Sequence, residues 1–243
     1  MIVIKNLTKR FGKKKAVNNL NVEIKDGTVV AFIGHNGAGK TTTLNMMSGI
    51  LPIDEGEIIL NGKTIKDKDY KREFTVVFDN PDHYLYLTAM EYFQFITDIY
   101  EVDKDEVETK ITNLANEFGI TEVLHENIES FSHGMRQKVM IIGALLVNPN
   151  IWILDEPLTG LDPIASFKLK ELMKEHARKG NIVLFSTHVL EVAEKLCDSI
   201  IIIKEGSSIF QGTLEQIKQN YPDKNLEEIF LTMMGVSNNG QTN

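Results

Sequence analysis

Short apolar runs with no polar alternation recur along the chain, at Val29 to Ile33, Thr75 to Phe78, Ile151 to Leu154, Ile182 to Phe185 and Ser199 to Ile203. β-Branched runs that are apolar on both faces read as buried strands of a parallel sheet covered by helices. Ile2 to Ile4, Val22 to Ile24 and Glu57 to Leu60, the last followed by Asn61-Gly62, read instead as antiparallel hairpin strands. Between about Thr88 and Val147 the strand pattern gives way to helical spacing, over Thr88 to Tyr100, Asp103 to Phe118 and Gly134 to Val147. The α/β pattern resumes at Ile151. The expectation is one domain over 1–243: a mixed-sheet core at about 1–80 and 148–243, an N-terminal antiparallel β part, and a helical insertion at about 81–147.

Composition narrows the function classes. With 42% hydrophobic and 25% charged residues the chain is ordinary for a globular protein. Its net charge of −8 argues against a nucleic-acid partner, which demands clustered Lys and Arg. The one dense basic cluster, Lys9-Arg10 with Lys13-Lys14-Lys15, reads as a solvated loop. Cys197 is the single cysteine, so no disulfide forms within the chain and a reducing compartment is expected. The longest apolar run, Val139 to Val147, is about half of a bilayer span, and the N-terminus has no signal-peptide pattern. Any membrane role therefore requires a partner.

The strongest chemistry lies at 34–41, GHNGAGKT, between the strand at Val29 to Ile33 and a helical stretch at Thr41 to Ser48. This is G-x-x-x-x-G-K-[ST] in the context that motif needs. Gly34, Gly37 and Gly39 are expected to supply backbone turns closed to other residues, converging N–H groups on a β-phosphate with the helix end behind them. Lys40 offers a charge to the β- and γ-phosphates, and Thr41 a hydroxyl to Mg²⁺. A second buried strand ends in Asp155-Glu156. Asp155 is placed to hold the metal's water shell, and Glu156 to orient or deprotonate an attacking water.

DEPLTGLDP at 155–163, FSHGMRQK at 131–138 and Ser186-Thr187-His188 complete a set with the P-loop. In order and spacing it resembles the nucleotide-binding domain of ATP-binding cassette (ABC) transporters over essentially the whole chain. The resemblance implies an ATPase in which two such domains, as homodimer or heterodimer, sandwich two ATP–Mg²⁺. Each ATP lies between one subunit's P-loop and the other's signature loop. Nucleotide contacts then fall to Phe11, stacked on adenine, to Gly34, His35, Asn36, Gly37, Ala38, Gly39, Lys40, Thr41 and Thr42, and across the interface to Ser132 and Gly134. Catalytic roles fall to Lys40, Glu156 and His188, and metal contacts to Thr41, Asp155 and Asp79.

Several positions carry a plainer reading as well. Phe11 has a buried hairpin side chain as its competing, weaker account, and Asp162, matching the loop between subunits, is also a natural N-cap before Pro163. Ser132 suits a helix cap, but a capping box wants Glu or Gln at the position of Met135, so that local account is incomplete. His133 replaces the first Gly of the usual signature and has no assigned role. Asp79 stands where the family places Gln; a hard oxygen ligand and an Asx-turn residue explain it about equally.

The resemblance further implies integral membrane permease subunits as partners and a peripheral site on the inner face of the cell membrane. The groove beside Pro81 to Tyr100 would receive the permease, with Tyr84, Tyr86, Tyr92 and Phe93 as anchor candidates, although helix-core packing explains Phe93 at least as well. Leu226 to Leu231 and Leu87 to Tyr92 look like export cassettes. A soluble family member, such as an iron–sulfur-assembly or regulatory ATPase, is the alternative.

Overall fold

The computed structural model describes residues 1–235; the last eight residues of the expected domain lie outside them. In chain order the strands and helices are β1 (Ile2–Phe11), β2 (Lys14–Ile24), β3 (Val29–Ile33), α1 (Lys40–Met47), β4 (Glu55–Leu60), β5 (Lys63–Thr64), β6 (Phe74–Val77), α2 (Ala89–Ile99), α3 (Lys104–Phe118), α4 (His133–Leu146), β7 (Ile151–Asp155), α5 (Pro163–Arg178), β8 (Ile182–Thr187), α6 (Leu190–Leu196), β9 (Ser199–Lys204), β10 (Ser207–Thr213), α7 (Leu214–Asn220) and α8 (Leu226–Met234).

Two sheets form. One is antiparallel, in the order β2-β1-β4-β5; the other has six strands, in the order β10-β9-β3-β8-β7-β6. In the second sheet β9, β3, β8, β7 and β6 run parallel and β10 joins antiparallel at the edge. The alternation of partners explains the unbroken apolar runs. Val29, Ala31 and Ile33 of β3 enter the core on the helical side, while Val30 and Phe32 enter the core between the two sheets. β7, β8 and β9 divide their residues in the same way.

β1 and β2 extend well beyond the expected Ile2 to Ile4 and Val22 to Ile24. Their register shifts several times between Ile4 and Arg10, with Asn6 and Asn19 at positive φ, so bulges break the alternation that marks a strand in sequence. Asn61 and Gly62 both take positive φ between β4 and β5, as a tight hairpin turn requires.

The helix starts are built from local chemistry. Thr88 and Glu91 form a complete capping box on α2, and Asp103 caps α3. Ser132 caps α4 through the Met135 N–H at 3.3 Å. The cap needs only that backbone donor, so Met135 removes half of the box and leaves the other half working. Gly143 of α4 lies so close to Tyr92 that a Cβ there would sit 2.5 Å from the ring, which sets how tightly α2 and α4 approach. No helix among the described residues is long and apolar enough to cross a membrane.

Candidate functional site

β3 delivers the P-loop and β7 delivers the acidic pair, two places apart with β8 between them. Gly37 and Gly39 have φ of 81° and 109°, conformations that side chains disfavour. Gly34 does not; its need for a bare Cα comes from packing, because a Cβ would meet Ile203 O at 2.8 Å and the Ala38 methyl at 2.9 Å. Gly39, at the start of α1, offers no side-chain cap. The first N–H groups of α1 thus lack protein acceptors, which suits an anion.

A cleft of about 450 Å³ lies over this loop, bordered by Phe11, Lys14, His35, Lys40, Thr42 and Glu156 among others. Asn36, Gly37, Gly39, Thr41, Asp79 and Asp155 also face it. Phe11 is 51% exposed, which excludes the buried-hairpin reading. Lys14 borders the same cleft and is more than a solvated loop residue. Its neighbours Lys9 and Arg10 are tied to Asp54 and Glu55, each at 2.8 Å. Ala38 is fully buried beneath the loop.

The Lys40 ammonium donates to Gly34 O at 2.7 Å and lies 3.9 Å from Glu156 Oε1. Burial lowers its pKa, and the Glu156 and Asp155 carboxylates oppose that shift. Asp155 is 1% exposed and both its oxygens are engaged: Thr41 Oγ1 donates to Oδ2 at 2.9 Å, and Ser186 Oγ donates to Oδ1. His188 Nδ1 is 3.0 Å from Glu156 Oε1. The strand ends of β7 and β8 thereby place a carboxylate and an imidazole side by side, with Thr187 Oγ1 accepting from Val189 N–H to shape the turn.

Asp79, just past β6, faces the same space. Its pKa is raised by burial and by Asp155 and Glu156, with His133 and His188 pulling the other way. The Asx-turn contact of this loop belongs to its neighbour, with Asn80 Oδ1 accepting from Asp82 N–H at 3.0 Å. Thr41, Asp155 and Asp79 give an all-oxygen donor set around accumulated negative charge, which fits a hard divalent cation. Among the described residues no cluster of three or more His, Cys, Asp or Glu could hold a metal alone. Such an ion would then depend on the hydroxyl, water and nucleotide phosphates, as Mg²⁺ commonly does.

Ser132 and Gly134 do not line the P-loop cleft. They start α4 beside the loop that follows Glu156. A Cβ on Gly134 would stand 2.4 Å from Gly160 O, and one on Gly160 would stand 2.5 Å from the His133 ring. Lys138 completes the contact with an ion pair to Asp162 at 2.7 Å. Asp162 also caps α5 through Ala165 N–H at 2.9 Å, which bears out its reading as an N-cap. The Ala165 N–H and Lys138 hold its pKa below the usual carboxylate range. His133, with no assigned role in sequence, is a packing partner of Gly160.

A second cavity of about 610 Å³ adjoins the cleft and shares Thr41, Asp79 and Asp155 with it. Its outer wall includes Ile50, Tyr84 and Ile96. Of the four expected anchors, Tyr84 and Tyr86 are exposed, at 46% and 87%, whereas Tyr92 and Phe93 are buried in the core. Sequence spacing put all four on one segment, but a helix of this amphipathicity turns two of them inward. Arg136 of α4 ties this wall to the signature helix through Asp82 at 2.6 Å and Glu129 O at 2.6 Å.

Comparison with known proteins agrees with this geometry. The profile of the family described as ABC transporter matches residues 17–159. The chain is 35% identical to the ABC-type transporter ATP-binding protein EcsA of Bacillus subtilis, covering 96% of each chain. It is 34% identical to the lantibiotic transport ATP-binding protein SrtF of Streptococcus pyogenes, covering 95% of this chain and 96% of that one. Among solved structures, an ATP-binding subunit of an ABC transporter superposes with a TM-score of 0.92 at 34% identity, covering 96% and 99%. The ATP-binding cassette MJ0796, in a dimeric post-hydrolysis state with ADP and Pi, superposes with a TM-score of 0.79 at 27% identity, covering 88% and 99%. The chain belongs to the ABC transporter family, as an ATP-binding, ATP-hydrolysing cassette.

Proposed function

We propose that this chain powers export by closing as a dimer on two ATP, with Lys40, Glu156 and His188 carrying the chemistry and permease subunits docked at the Tyr84–Tyr86 face. The observation that carries the catalytic reading is the contact between Glu156 Oε1 and His188 Nδ1 at 3.0 Å, with the same oxygen 3.9 Å from Lys40 Nζ. Lys40 and the free N–H groups of α1 bind the β- and γ-phosphates. Glu156 accepts the proton of the attacking water, and His188 steadies Glu156 and contacts the γ-phosphate side. Phe11 presents an exposed ring to adenine beside the cleft. Thr41, Asp155 and Asp79 are the residues that would hold a Mg²⁺, which would supply charge neutralisation on the phosphates.

Ser132 and Gly134 do not line the P-loop cleft of their own subunit, and a partner cassette is what brings them to a phosphate. Closure is a population shift driven by contacts that only the nucleotide-loaded dimer makes. Asp79 borders both the nucleotide cleft and the outer cavity. It is therefore the point where nucleotide occupancy and permease contact meet. Among the named relatives, the lantibiotic transport protein supports the transport part of this reading.

Replacing Glu156 by Gln tests the scheme. The variant keeps the shape and hydrogen bonding of the side chain but is a far weaker base. It is expected to bind ATP, to hydrolyse it at least a hundredfold more slowly, and to elute as a dimer on size exclusion with ATP. A monomer with wild-type turnover would overturn the proposal.

A further inference from the structure

Ser186 is fully buried at the end of β8, directly paired in register with Asp155 of β7. Its single hydroxyl serves two masters. It donates to Asp155 Oδ1 and accepts from the Glu156 N–H at 3.0 Å. Its one proton and one of its lone pairs are thus both spent on the acidic pair. Two residues further along the same strand end stands His188, itself against Glu156.

Glu156 needs such a hold. Its φ is 47°, in the left-handed region that side-chain-bearing residues rarely occupy. That conformation turns its carboxylate back toward Lys40 and His188. Asp155 is held on its other oxygen by Thr41 alone. Thr41 would bind a cation through an oxygen lone pair and keep its O–H for Asp155 Oδ2. Ser186 fixes the other oxygen, Oδ1, and is fully buried.

We infer that Ser186 is a positioning residue for ATP hydrolysis, locking the Asp155 carboxylate for the metal and the left-handed Glu156 backbone for the water. The inference rests on the assignment of Asp155 and Glu156 proposed above. Ser186 is fully buried and does not line the cleft; it acts through Asp155 and Glu156, which do. Nucleotide binding by the P-loop is therefore independent of it, whereas turnover and metal affinity are not.

The test compares Ser186→Ala with the near-isosteric pair Ser186→Thr and Ser186→Val in the full chain. In Ser186→Ala, kcat is expected to fall about tenfold with KM for ATP within about twofold, since the lost hydrogen bonds involve a charged group and a strained backbone. Affinity for Mn²⁺ in the presence of ADP, followed by electron paramagnetic resonance, is expected to fall by a similar factor. Thr adds a methyl but keeps the hydroxyl, and Val adds the same bulk without it. Recovery of kcat in Thr relative to Val isolates the hydroxyl even where the added methyl or the lost bond lowers stability. Ser186→Ala with kcat and Mn²⁺ affinity within twofold of wild type, or Thr and Val variants equally slow, would overturn the inference. Glu156→Gln run in parallel separates the two levels: wild-type turnover in that variant defeats the underlying assignment, while a stalled Glu156→Gln beside a normal Ser186→Ala defeats only the role of Ser186.

Discussion

The contact between the signature helix and the loop after Glu156 can be dissected energetically through Gly160. Gly160 has φ of 76°, and a Cβ there would stand 2.5 Å from Cδ2 of His133. That is roughly 1 Å inside the optimum carbon–carbon separation of about 3.5–4.0 Å. Gly160→Ala therefore carries two separable penalties. The left-handed backbone costs about 1–2 kcal/mol for any side chain, and the overpacking against His133 about 1–3 kcal/mol more. His133 is exposed, so His133→Ala alone should change stability by less than about 0.5 kcal/mol. In the double variant the imidazole is gone and only the backbone penalty remains. Urea denaturation followed by circular dichroism should thus give a coupling of about 1–3 kcal/mol between the two sites. Gly134→Ala is the control: its Cβ would meet a backbone oxygen, Gly160 O, at 2.4 Å, so His133→Ala should not relieve it. If Gly160→Ala loses the same stability with and without His133, the imidazole does not pack on Gly160 and the reasoning fails.

Two further outcomes follow from charge and burial. Asp79→Asn removes one of three carboxylates that crowd the cleft, so the Mg²⁺ concentration giving half-maximal turnover should rise several-fold while turnover at saturating Mg²⁺ survives; an unchanged Mg²⁺ dependence would remove Asp79 from the metal's surroundings. His176 is buried with its ring edge-on to Trp152 at 5.7 Å, and burial lowers its pKa below the ordinary 6.5 against a raising contact from Pro149 O. The unfolded chain therefore takes up its proton first as pH falls, so stability is full above about 6.5 and declines below it, by at most about 1.4 kcal/mol per pH unit from this group. His176→Phe keeps a ring against Trp152 without a proton site, and its urea midpoint should fall less than that of wild type between pH 7.0 and 5.5; parallel declines would contradict this.

How much of the site could be read in advance depends on how local its physics is. The P-loop was legible because a strand, a glycine-rich turn and a helix start are consecutive in the chain, and the phosphate-binding groups are their own backbone. The acidic pair was legible because it ends an apolar strand. Ser186 was not, since a serine at a strand end is common and only the register of β7 against β8 sets it beneath Asp155. Tyr92 shows the same limit from the other side: its aromatic character was visible, but the room for its ring against α4 depends on the bare Cα of Gly143.

The glycines mark the boundary between the two kinds of information most clearly. Gly37 and Gly39 sit at positive φ in a turn whose residue types already demand it, so local sequence determined them. Gly34 and Gly134 have ordinary backbones, and what forbids a side chain is Ile203 O in one case and Gly160 O in the other. Those oxygens lie far along the chain. By itself the sequence determined the elements, the phosphate loop and the kinds of groups around it, because these follow from hydrophobic period and backbone stereochemistry over a few residues. Only the tertiary structure decided which oxygen, ring or hydroxyl stands opposite each of them, because close packing is settled between strands and helices that the chain brings together from a distance.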